Sequence, residues 1–116
     1  MTSQREWPIV REVLLKSEAE ELTAGFVLSA DEKTQWHVTY CDVYGLVSNT
    51  DADGQPAGSY ALTGDGEFFL EQLRDESVLN QALSEIEEDR PGKVVYSGFL
   101  FSRIFEIKNR GQQDPL

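Results

Sequence analysis

Residues 60–79, YALTGDGEFFLEQLRDESVL, constrain the fold most, because a strand-forming triplet runs into a helix with no linker between them. Tyr60, Ala61 and Leu62 favour an extended segment, and the Thr63 hydroxyl stands where it can cap the exposed amides of a helix starting at Gly64. Phe68, Phe69, Leu70 and Leu73 then recur at spacings that gather apolar side chains on one helical face. A strand delivered directly into an amphipathic helix is a packing unit that the preceding residues must cover.

Those preceding residues divide into short elements. Trp7-Pro8 opens a first helix, since proline at the first helical position loses no hydrogen bond. Trp7, Val10, Val13 and Leu14 form its inward stripe, and the acids Glu18, Glu20 and Glu21 oppose the macrodipole and predict a stop within 17–22. A turn at 23–25 and a short buried strand at 26–28 follow. Ser29 and Glu32 have capping-box spacing, which predicts a second helix over 30–44 with Trp36, Tyr40 and Val43 inward and Gly45 as its left-handed terminator. Leu46, Val47 and Ser48 leave as a strand, 49–59 is a solvated hairpin tip, and 60–62 returns.

After Leu73, Ser77 is placed to cap a further helix with Val78, Leu79, Ala82, Leu83 and Ile86 on its apolar face, stopped by Pro91-Gly92. Val94, Val95 and Tyr96 favour a strand, and the apolar run over 99–107 fits either a helix or a strand, the helix reading covering 97–109. The expected class is therefore α+β, a single winged helix-turn-helix-like domain with a two-stranded wing: 1–90 as the domain, 91–109 as a C-terminal extension on it or at an interface, and 110–116 as a disordered tail.

Charge narrows the partners. Ten Lys and Arg against 21 Asp and Glu leave a formal net charge of −11, which repels phosphate backbones and anionic membranes. Between 65 and 90, nine acids face only Arg74 and Arg90, whereas from Lys93 onward bases predominate. No apolar run approaches the roughly 20 residues that span a bilayer. A single cysteine and the absence of an apolar core in the opening MTSQREWP predict a cytoplasmic protein.

Three blocks carry a resemblance: residues 9–15 (IVREVLL), the His37-Val38 to Gly45-Leu46-Val47 block, and Tyr60-Ala61-Leu62-Thr63 through Gly66, Glu67-Phe68, Leu70 and Leu73-Arg74-Asp75. Together, over roughly 7–83, they resemble an uncharacterised family of winged-helix proteins of bacteria and their phages. The resemblance implies a fold and a mobile-element setting, with no catalytic residues to carry over. The chain departs from the family pattern in a short segment before the second helix and after Ala82.

No constellation offers paired acid and base groups, so no enzyme activity, cofactor or metal is expected. His37 and Cys41, four apart, lack further ligands or an orienting residue, and are read as a surface or edge histidine and a partly buried cysteine. Asp51-Ala52-Asp53-Gly54 begins like a calcium loop but lacks the later acidic ligands, and Gly64-Asp65-Gly66 carries acids that repel phosphate. The expected function is binding another protein. In its sharpest form the chain mimics DNA and inhibits a nucleic-acid-binding host defence nuclease complex, of the anti-CRISPR kind. Its phosphate mimics would be Glu67, Glu71, Asp75, Glu76, Glu85, Glu87, Glu88 and Asp89. The alternative is a DNA-binding transcriptional regulator contacting DNA through Lys33, Thr34, Gln35 and His37, although the acidic surface disfavours direct nucleic-acid binding. The apolar residues of 99–107 are a candidate homodimer face.

Overall fold

The computed structural model describes residues 5–110. In chain order it contains α1 (Trp7–Glu18), α2 (Ala24–Ser29), α3 (Glu32–Val43), β1 (Val47–Thr50), β2 (Pro56–Leu62), α4 (Gly64–Leu73), α5 (Glu76–Asp89) and α6 (Ser97–Arg110). Among the described residues these six helices and one two-stranded antiparallel sheet make the chain α+β. Its packing divides into two units, one up to Glu71 and one from Gln72. The expected tail at 110–116 lies outside the described residues except for Arg110, which closes α6.

In the first unit α1 starts with Pro8 in its first turn and buries Trp7, Val10, Val13 and Leu14. It lies against α3 and β2. The chain leaves it through Glu20 at φ 61°, a left-handed turn that releases the backbone after Glu18. Leu22, Val38, Cys41, Leu46, Val47 and Leu70 complete this unit's buried apolar set. Each side chain removed from water contributes roughly 1.5–3 kcal/mol before entropy is counted.

Residues 24–29 form a helix, not the buried strand expected over 26–28. Thr23 is its cap, its Oγ1 accepting from the Phe26 amide at 3.1 Å, and Leu28 is 81% exposed. Three apolar residues are too few to fix a period, and a capped turn satisfies their amides locally. α3 begins two residues later than expected because Asp31, not Ser29, caps it: Asp31 Oδ1 accepts from the Thr34 amide at 2.7 Å. Ser29 turns back instead, donating to the Phe26 carbonyl at 3.0 Å. That short hydrogen bond from Thr34 holds the Asp31 carboxyl below its ordinary pKa.

The inward face of α3 is also rotated from expectation. His37, Val38 and Cys41 are buried, Trp36 and Tyr40 are half-buried, and Val43 is 74% exposed. A histidine with both ring nitrogens bonded can occupy a core, and that is the signal the apolar spacing does not carry. Gly45, at φ 73°, ends α3 as predicted.

β1 and β2 pair Val47 with Leu62 and Ser48 with Ala61, then slip so that Thr50 meets Pro56. β2 is longer than the triplet 60–62, since a proline at the start of an edge strand costs no ladder bond. An isolated antiparallel bridge joins Thr23 to Ser59, and the Tyr60 amide donates to the Leu22 carbonyl at 2.8 Å. The segment entering α2 thus lies along β2.

Thr63 caps α4 as the sequence predicts, its Oγ1 accepting from the Gly66 amide at 3.0 Å while its hydroxyl donates to the Gly45 carbonyl. Gly66 lets α4 close on the chain before β1: a Cβ there would lie 1.9 Å from the Leu46 carbonyl oxygen. Leu70 and Leu73 are buried, whereas Phe68, expected inward, is 58% exposed.

In the second unit α5 packs on α6. Its cap is Asp75, whose Oδ1 accepts from the Val78 amide at 3.1 Å, in place of the expected Ser77. Asp75 already stands three residues before Val78, so the hydroxyl is redundant. Leu79, Ala82 and Ile86 face inward opposite Leu100 and Ile104 of α6. Residues 94–96 are irregular rather than extended, because no strand of this unit is available to pair with them among the described residues.

Candidate functional site

α3 is the helix that a nucleic-acid reader of this element order would present. Of the four residues expected to touch DNA, His37 is buried, contrary to the surface position expected for it. Its Nε2 accepts from the Glu6 amide at 2.8 Å, so Nδ1 carries the proton and donates to the Lys33 carbonyl at 2.7 Å. Lys33 Nζ pairs with Glu6 at 2.9 Å, and that hydrogen bond raises its pKa. Gln35 Nε2 donates to the Val27 carbonyl at 2.8 Å, fastening α2 to α3. Thr34 spends its amide on the Asp31 cap. His37, Gln35 and Lys33 thus engage their side chains, and Thr34 its amide, within the first unit.

The residues that α3 turns outward are different ones. Glu32, Trp36, Thr39 and Val43 recur at four-, three- and four-residue steps, which sets them in one row along the helix. Trp36 stacks on Tyr40 with ring centroids 5.8 Å apart and planes at 18°, and Tyr40 leads on to Tyr44 at 4.5 Å. Arg5 lies over the rings of Trp7, at 4.4 Å, and Tyr40, at 5.6 Å, and donates to the Tyr40 hydroxyl at 2.8 Å. The row holds no cation. Of this row, the apolar spacing predicts Trp36 and Val43 for the core; Trp36 is half-buried and Val43 exposed.

The eight carboxylates expected to mimic phosphates do not stand equal. Glu67 and Glu71 belong to the first unit and the other six to the second. Asp75 caps α5, and Glu87 Oε1 accepts from the Gly92 amide at 3.1 Å. Asp89 meets Arg103 at 2.7 Å. Glu85 is held hardest: Arg110 reaches both of its oxygens, at 2.8 and 2.9 Å, Arg103 one of them at 3.1 Å, and Gln81 donates at 3.1 Å. Glu71 and Glu76 also have interactions of their own. The side chains of Glu67 and Glu88 are exposed and engage no other described residue.

This clamp between α5 and α6 predicts an acid response. The Arg110 hydrogen bond, helped by those from Gln81 and Arg103, lowers Glu85 from 4.5 to about 2. A depressed folded-state pKa gives stability that is fully present above pH 4.5 and disappears as pH falls from there towards 2. Glu85→Gln is therefore expected to be less stable than the native chain at neutral pH, with the difference closing as pH falls through that window in thermal melts followed by circular dichroism.

Among the described residues no three His, Cys, Asp or Glu side chains converge as metal ligands. The 51–54 turn spends Asp51 Oδ1 on the amides of Asp53, at 2.9 Å, and Gln55, at 3.0 Å. Cys41 is fully rather than partly buried, and burial pushes its thiol up to about 12. It is expected to resist alkylation by iodoacetamide at pH 8 in the folded protein and to react at once in denaturant, as mass spectrometry would record. On α6, Leu100 and Ile104 of the candidate dimer face are buried, whereas Phe99 and Phe105 are 51% and 67% exposed, with Arg90 4.7 Å over the Phe99 ring. Among the described residues no helix is long and apolar enough to cross a membrane. No family model, curated protein or solved structure matches the chain.

Proposed function

We propose that this chain is a winged-helix-like protein that acts by binding another protein, without catalysis and without reading DNA. The observation that carries this reading is the outward row of α3, Glu32, Trp36, Thr39 and Val43, where a groove-reading helix would place cations. The element order supports the winged-helix layout: α1, the Thr23 bridge, α2, α3, then β1 and β2 as the wing. The wing's turn adds Asp51 and Asp53 and no base. Its single cysteine fits a cytoplasmic setting. The narrower form, a phosphate-mimicking inhibitor of a nuclease complex of a phage or mobile-element kind, draws less support, because the side chains of Glu67 and Glu88, exposed and without a described partner, lie in different units.

A fluorescence-anisotropy titration with a labelled duplex, at about 50 mM salt, tests the reading. DNA-binding proteins hold non-specific duplex with Kd of about 10⁻⁴–10⁻⁶ M even at physiological salt. No binding is expected here up to about 100 µM, while the immobilised chain retains a protein from bacterial lysate. Duplex binding that falls with salt and is lost in Lys33→Ala would establish the regulator instead.

A further inference from the structure

Resting on the protein-binding reading, we propose that the partner docks on the outward row of α3, not on the acids of α5, and that it presents a basic amphipathic helix. Two features of the first unit determine that choice. The apolar part of the surface is Trp36, Val43 and Tyr44, the last two 74% and 65% exposed, and the rings of 36, 40 and 44 run along the helix as one ladder. Burying such a strip in a groove or against a helix is how amphipathic segments are recognised. The polar part is of one sign. The Glu32 and Asp42 side chains are exposed and engage no other described side chain, Asp31 is ionised at the helix start, and the one base on α3, Lys33, is paired with Glu6.

A second copy of this chain would bring the same acids to the same row, so charge complementarity selects a cationic occupant. The chain already exhibits the contact that a partner's arginine would make, in Arg5 over Trp7 and Tyr40. Tyr44, at the open end of the ladder, offers a further ring for a cation. The acids of α5 compete poorly, because Glu85 is already held by Arg103 and Arg110 and Asp89 by Arg103.

The experiment titrates ¹⁵N-labelled full-length protein with a short synthetic helix of Leu and Lys, and in parallel with its Leu and Glu counterpart. The Lys helix is expected to move the Trp36 indole and the α3 amides saturably and to leave the Trp7 indole unmoved, and the Glu helix to move neither. Val43→Arg, at an exposed position that keeps the fold by circular dichroism, should weaken binding by about tenfold or more, and Glu88→Lys by less than about twofold. Shifts centred on α5, equal binding of the Glu helix, no binding of either, or self-association that covers the row would each overturn the proposal. These outcomes leave the protein-binding reading standing, which only duplex binding through α3 removes.

Discussion

Gly66→Ala is expected to destabilise the chain by about 3 kcal/mol, the upper end of what overpacking usually costs. The added methyl would meet backbone, at 1.9 Å from the Leu46 carbonyl oxygen and 2.9 Å from its carbon, with Leu62 Cδ2 at 3.1 Å. Backbone cannot rotate out of the way as the end of a side chain can. That carbonyl is also held from another direction, since it accepts from the Thr63 amide at 3.1 Å. α4 must therefore shift away from the start of β1, carrying Leu70 out of its buried position. For a chain of this size the melting temperature should fall by roughly 10–15 °C. Gly64→Ala is the internal control: nothing lies within 4 Å of its would-be Cβ, and alanine favours a helix start over glycine, so its melting temperature should be unchanged or slightly raised. Equal melting of the two variants would disprove the close approach of α4.

The second large effect is expected at His37. Replacing it by phenylalanine retains a ring of similar bulk but removes the acceptor for the Glu6 amide and the donor to the Lys33 carbonyl. A buried group left without its partner costs about 1–3 kcal/mol, and here the loss falls on a part-buried bond to the Glu6 amide and on the Lys33 carbonyl. The expected loss is about 2 kcal/mol by denaturant melt, with the Glu6 amide exchanging hydrogen faster. His37→Gln, whose side-chain oxygen can accept from Glu6, should recover part of it. An unchanged midpoint in His37→Phe would mean that the imidazole does not tie the entry of α1 to α3. Lys33 is drawn into the same arrangement: its carbonyl accepts from His37 Nδ1, and its Nζ pairs with the Glu6 carboxylate.

Local signals in the chain were reliable where one residue acts on its near neighbours. The α1 stripe of Trp7, Val10, Val13 and Leu14, the Thr63 cap and the Gly45 terminator all follow from spacing and side-chain chemistry within a turn or two. The same rules misplaced α2 and the caps of α3 and α5, because Thr23, Asp31 and Asp75 outcompeted signals of similar strength nearby. They also put Trp36 and Val43 inside, since apolar spacing marks a face without saying what covers it.

By itself, then, the sequence determined the order of most elements, the excess of acid, and the single base, Lys33, on the helix that became α3. The tertiary structure alone decided which carboxylates remain free and which face of α3 meets solvent. Those questions turn on contacts between residues far apart in the chain, Glu6 with His37 across 31 positions and Glu85 with Arg110 across 25. Such pairs form only when packing closes the intervening loop, and no local pattern encodes them.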